Sequence, residues 1–102
     1  MKMSVEQLTK LIKKIVNVMK PNGVEKIHFT LEPISNNEFY MDVTYVVPDN
    51  SEFLQLNPFS IDKNSRYFWN SELRKSIKNY LGIDVVINPS RITSLSNYNR
   101  LK

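Results

Sequence analysis

Residues 27–48, IHFTLEPISNNEFYMDVTYVVP, decide the fold, because two runs of alternating polarity flank one short break. Ile27, Phe29 and Leu31 alternate with Lys26, His28, Thr30 and Glu32. Phe39, Met41, Val43, Tyr45 and Val47 alternate with Tyr40, Asp42, Thr44 and Val46. A period of two sends successive side chains to opposite faces, so each run predicts a half-buried strand. The break, PISNNE, has the Pro, Ser and Asn of a short loop, and the pair is therefore expected as an antiparallel hairpin that Pro48 ends.

Working outward, the period changes to that of a helix on both sides. Upstream, Val5, Leu8, Leu11, Ile12, Ile15, Val16 and Met19 recur at intervals of three and four behind Ser4 and Gln7, a capping-box spacing. This predicts an amphipathic helix over about residues 4–20, stopped by Pro21-Asn22-Gly23. Downstream, residues 48–65 show no sustained period but are too apolar for a free linker, with Phe53, Leu54, Leu56, Phe59 and Ile61; an ordered connection is expected, carrying a short strand or helical turn. In residues 66–82, Trp69, Leu73, Ile77, Tyr80 and Leu81 form one helical stripe that closes the core, with Gly82 as its C-terminal cap. IDVVI then predicts a strand over 83–88 closed by Pro89.

The order is helix, strand, strand, connection, helix, strand. It predicts an α+β fold: a two-layer sandwich with two helices on one face of a three-stranded sheet, one domain over residues 1–88 and a polar tail over 89–102. A chain of 102 residues buries ~60–70% of its unfolded surface and folds without staples.

Composition removes several function classes. There is no cysteine, so disulfides, thiolate zinc sites and cysteine nucleophiles go together. A single His leaves no zinc set, PDNSE lacks the ligand pattern of a calcium loop, and the two glycines form no phosphate cradle. No cofactor, metal or small-molecule substrate is therefore expected. His28 lies near Asp42 or Thr44 in the hairpin registers the short loop allows; a His-Asp pair is the smallest unit of general-base chemistry, but no nucleophile is placed beside it and no catalytic residue is assigned. Lysines spread through the first 20 residues rule out a signal peptide or membrane span there, so a cytoplasmic setting is expected.

Charge is segregated. Residues 1–20 carry five Lys against Glu6, residues 21–62 carry Lys26 against seven acids, and residues 63–102 carry eight cations against Glu72 and Asp84. Two readings follow. In the first, the chain is a non-enzymatic assembly module that meets a protein partner or a second copy of itself. Basic helices would face an acidic hairpin, Tyr40, Val46 and Val86 would form an apolar patch on the open sheet face, and Arg91, Tyr98 and Arg100 would dock the tail. Alanine is absent while Asn, Lys and Ile supply 31 residues, usage that suits an AT-rich genome such as a bacteriophage's, and a small virion subunit is the setting expected.

In the second reading, Lys10, Lys13 and Lys14 on the first helix and Arg74, Lys75 and Lys78 on the second contact nucleic-acid phosphates, with Arg91, Arg100 and Lys102 in the tail adding to them. The element order resembles that of the bacterial-type KH domain, but no GxxG loop occurs to clamp a backbone. The sheet's polar face offers one aromatic among acids, which is not a base-stacking platform.

Overall fold

The computed structural model describes residues 4–55, 57 and 61–100. Leu56, Phe59 and Lys102, named above for the connection and the tail, lie outside the described residues. Helix α1 (Val5–Met19) starts on the expected capping box: the Ser4 hydroxyl accepts from the Gln7 N–H at 3.1 Å, and Gln7 Oε1 accepts from the Ser4 N–H at 3.0 Å. Two of the helix's free N–H groups are satisfied in this way. Leu8, Ile12 and Val16 are buried, one turn apart along a single face.

Strands β1 (Lys26–Pro33) and β2 (Glu38–Val47) form the antiparallel hairpin, with Phe29 opposite Val43 and Leu31 opposite Met41. The described part of the connection contains a short 3-10 turn over Glu52–Gln55. Helix α2 (Arg66–Leu81) is capped by Ser65, whose hydroxyl accepts from the Phe68 N–H at 3.2 Å. It ends at Gly82, which takes a left-handed φ of 69° and donates its N–H to the Lys78 carbonyl at 2.9 Å. α2 then carries the chain back to β3 (Asp84–Ser94), which runs parallel to β2, as a crossover connection requires.

The result is α+β, with a mixed three-stranded sheet in the order β1-β2-β3 and α1 over β1 and α2 over β3 on one face. Between the layers, Phe39, Met41, Val43, Tyr45 and Val47 of β2 meet the stripes of both helices. Trp69 packs edge-on against Tyr45 and Phe53, with centroids 5.0 and 5.1 Å apart. Such pairs add ~0.5–1.5 kcal/mol each beyond burial. One polar thread crosses this core: the Tyr45 hydroxyl donates to Asn70 Oδ1 at 2.7 Å, and Asn70 Nδ2 donates to Ser90 Oγ at 2.9 Å. It ties β2, α2 and β3 together, and burial pushes the Tyr45 phenol well above its ordinary pKa.

Three expectations change. First, β3 does not stop at Pro89 but continues to Ser94. Met41 pairs with Ile87 and Val43 with Ser90, so Asn88 and Pro89 together stand against Asp42 in a bulge. Proline is tolerated there because β3 is an edge strand. Second, Tyr80 leaves the apolar stripe and is 75% exposed; Leu81, one turn after Ile77, is the residue that continues the stripe onto the core. Third, the chain beyond β3 forms a short third helix, α3 (Leu95–Arg100), which lies on the other face of the sheet.

Candidate functional site

The open sheet face is laid out in rows by the strand register. From one end these are Lys26–Val46–Thr93, His28–Thr44–Arg91, Thr30–Asp42 at the bulge, and Glu32–Tyr40–Val86.

α3 lies against the first two rows, burying Val46 and Thr44 at their centre while Lys26, His28 and Arg91 stay exposed at the sides. Asp49, just after β2, anchors the start of α3: its carboxylate accepts from the Ser96 N–H at 2.8 Å and from the Ser96 hydroxyl. These two hydrogen bonds, the side-chain one first, hold the Asp49 carboxyl below its ordinary pKa. The Tyr98 ring then lies 5.2 Å from Lys26 Nζ, tilted against His28 at 5.8 Å, and its hydroxyl is 3.4 Å from His28 Nδ1. Asn97 Nδ2 donates to Thr93 Oγ1 at 2.8 Å, and Arg100 donates to Asn97 Oδ1 at 3.0 Å.

This cover corrects one assigned position. Val46, expected on an exposed patch, has no exposed surface at all, because the chain folds its own end back over that row. Arg91, Tyr98 and Arg100, expected to dock a partner, all make contacts within the chain. Arg91 Nη1 donates to both Asp42 Oδ1 and Thr44 Oγ1 at 2.9 Å, clamping β3 to β2 across the open face. His28 faces Thr44, one of its two expected neighbours, while the Asp42 carboxylate turns to Arg91.

The far row is bare. Tyr40 and Val86 are directly paired, and they are 48% and 41% exposed. Beside them Thr30, Glu32, Asp42 and the Asn88-Pro89 bulge frame a shallow hollow of about 180 Å³. The bulge was invisible in the residue pattern; its trace there is the break of alternation at Asn88-Pro89.

The six helix cations are all exposed on the helix layer of the sandwich. Lys10, Lys14 and Lys75 each sit two positions from two buried residues, which points them away from the sheet. Lys78 pairs with Asp84 at 3.2 Å, whereas Lys10, Lys13, Lys14, Arg74 and Lys75 have no carboxylate within ion-pair distance among the described residues. Arg74, Lys75 and Lys78 line a groove of about 490 Å³ between α2 and the outer edge of β3.

Among the described residues, no three of His, Asp and Glu gather where they could hold a metal ion, and no helix is long and apolar enough to cross a membrane. No family model, curated protein or solved structure matches the chain.

Proposed function

We propose that the chain is a non-enzymatic, self-associating subunit that stacks the helix layer of one copy on the open sheet of the next. The observation that carries this reading is the bare Glu32–Tyr40–Val86 row: two large apolar side chains exposed side by side, at the end of the face away from α3. The surrounding charge supports the choice of occupant. Exposed Glu25, Glu32 and Glu38 lie on the hairpin, and exposed Lys10 and Lys14 lie on the far side of the sandwich. A contact between two different surfaces is heterologous and closes into a ring or extends as a filament. The non-enzymatic part rests on the only histidine being set against Tyr98 while Asp42 is held by Arg91. The alanine-free, Asn-, Lys- and Ile-rich composition supports a phage particle or its host cytoplasm as the setting.

Sedimentation of the wild-type chain and of the double variant Tyr40→Ser, Val86→Asp tests the stacking. The wild type should sediment as an oligomer and the variant as a monomer with unchanged circular dichroism. Equal mass for both would remove the patch from the interface.

A second reading is favoured by the five helix cations that have no carboxylate partner among the described residues, which suit a nucleic-acid backbone. It predicts co-purifying nucleic acid, binding that falls steeply with salt, and loss of binding when Lys10, Lys14, Arg74 and Lys78 are reversed to Glu. Salt-insensitive binding would exclude it.

A further inference from the structure

The helix layer has a hollow of its own, where the end of α1 meets the first turns of α2, with a volume of about 170 Å³. Ile27 and Tyr45 of the sheet and Trp69 and Leu73 of α2 form its floor, and all four are buried. The rim stays open to solvent: Met19, Phe68 and Glu72 are half-buried and Lys63 is exposed.

Size and lining narrow the occupant. A cavity of about 150 Å³ lined by aliphatic and aromatic side chains takes a single benzene ring. Drug-sized ligands and cofactors need about 300 Å³ or more. The hollow therefore suits one ring whose polar end meets the Glu72 carboxylate and the Lys63 ammonium. Neither charge has an opposite partner within ion-pair distance among the described residues.

The bare sheet row presents such a group. Tyr40 is a half-exposed ring that ends in a hydroxyl, and its register partner on β1 is the exposed Glu32. A ring with a carboxylate beside it complements an apolar hollow with a lysine at its rim. Tyr80 is more exposed, but it stands on α2 itself. Its insertion would set one basic helix layer against another, with Lys10, Lys14 and Lys75 facing their own kind.

Resting on the stacking of helix layer on sheet, we propose that the Tyr40 ring of one copy anchors in this hollow of the next. Glu32 pairs with Lys63 across the rim, and the Tyr40 hydroxyl donates to Glu72. Interfaces concentrate their affinity in pocketed aromatic anchors of this kind.

Sedimentation equilibrium of the full chain, and NMR of Trp69, its only tryptophan, test the inference. Lys63→Glu and Glu32→Lys should each weaken self-association by about tenfold or more, and the two together should restore it. Tyr40→Ala should weaken it at least as much, and Tyr80→Ala should leave it unchanged. All four residues are exposed, so the fold should survive. 4-Methylphenol, the tyrosine side chain as a free molecule, should dissociate the wild-type oligomer. Added to Tyr40→Ala, it should shift the Trp69 indole N–H signal saturably.

An indole signal indifferent to 4-methylphenol overturns the proposal. So does self-association that survives either charge reversal, or that the pair of reversals does not restore. Loss of the oligomer in Tyr80→Ala but not in Tyr40→Ala would give the hollow to that ring instead. An oligomer that needs Tyr40 but not Lys63 removes this anchor site and leaves stacking standing, whereas a monomeric wild type removes both.

Discussion

The two halves of the open sheet face are built from the same three strands and the same alternating positions, yet one is closed and the other bare. At the closed end, Val46 lies beneath α3, and Tyr98, Asn97 and Asp49 hold the chain's last helix in place. At the bare end, Tyr40 and Val86 stand exposed, with no such cover among the described residues. The difference teaches that alternation assigns a side chain to a face, whereas cover is decided by what else the chain can reach. Where the chain has a cover it uses it, and the other half stays bare among the described residues.

The sharpest way to break this comparison is to put the same charge on each half. Val46→Asp puts a carboxylate where the native side chain has no exposed surface, with only the exposed Lys26 across the register to meet it, and should cost on the order of 3 kcal/mol in urea unfolding. Val86→Asp, one strand away on the same face, should change stability by no more than about 0.5 kcal/mol, as surface substitutions do. Equal costs would mean that α3 does not cover its half.

Next in size is the polar thread beneath both halves. Tyr45→Phe removes the donor to Asn70 and leaves a buried acceptor unsatisfied, at a cost of about 1–3 kcal/mol. Arg91→Met opens the clamp between the halves. Its ion pair is roughly half exposed and screened, so urea unfolding should show a loss of about 0.2–1 kcal/mol.

The smallest effect is local and depends on pH. Asp49's folded pKa is depressed, so the stabilisation it gives is fully present above the ordinary carboxylate value of 3.8 and is lost as pH falls through the lower folded value. Acid should therefore release α3 before the core melts, seen as loss of the Tyr98–His28 contact by NMR. Asp49→Asn should remove that pH dependence.

Much of the fold was legible in the sequence. Both helices, the hairpin and the caps at Ser4 and Gly82 follow from period and punctuation, because each is fixed by residues close together along the chain. The second half of β3 was not legible. The bulge shifts the core-facing positions from Val85 and Ile87 to Ser90 and Ile92, so no single period spans the strand, and Pro89 reads as a stop. α3 escaped because its six residues carry no apolar stripe; it is held from outside, by Asp49 and by the β1 side chains under Tyr98. The parallel direction of β3 goes with the strand–helix–strand order, but its place beside β2 and its register are tertiary facts with no local signal. Of the candidate site, the helix cations and the Tyr40–Val86 pair were readable from their faces. The cover over Val46 was not, since it depends on that same unreadable helix.

The central claim is that the bare half and the basic helix layer bring copies of this chain together. The most direct measurement is the solution mass of the purified chain by light scattering at low and at high salt, with absorbance read for bound nucleic acid. A defined oligomer free of nucleic acid at low salt, falling to monomer mass at high salt or in Val86→Asp, is the predicted result. A monomer at every salt concentration would contradict the claim, and a monomer carrying nucleic acid would give the helix lysines to the second reading.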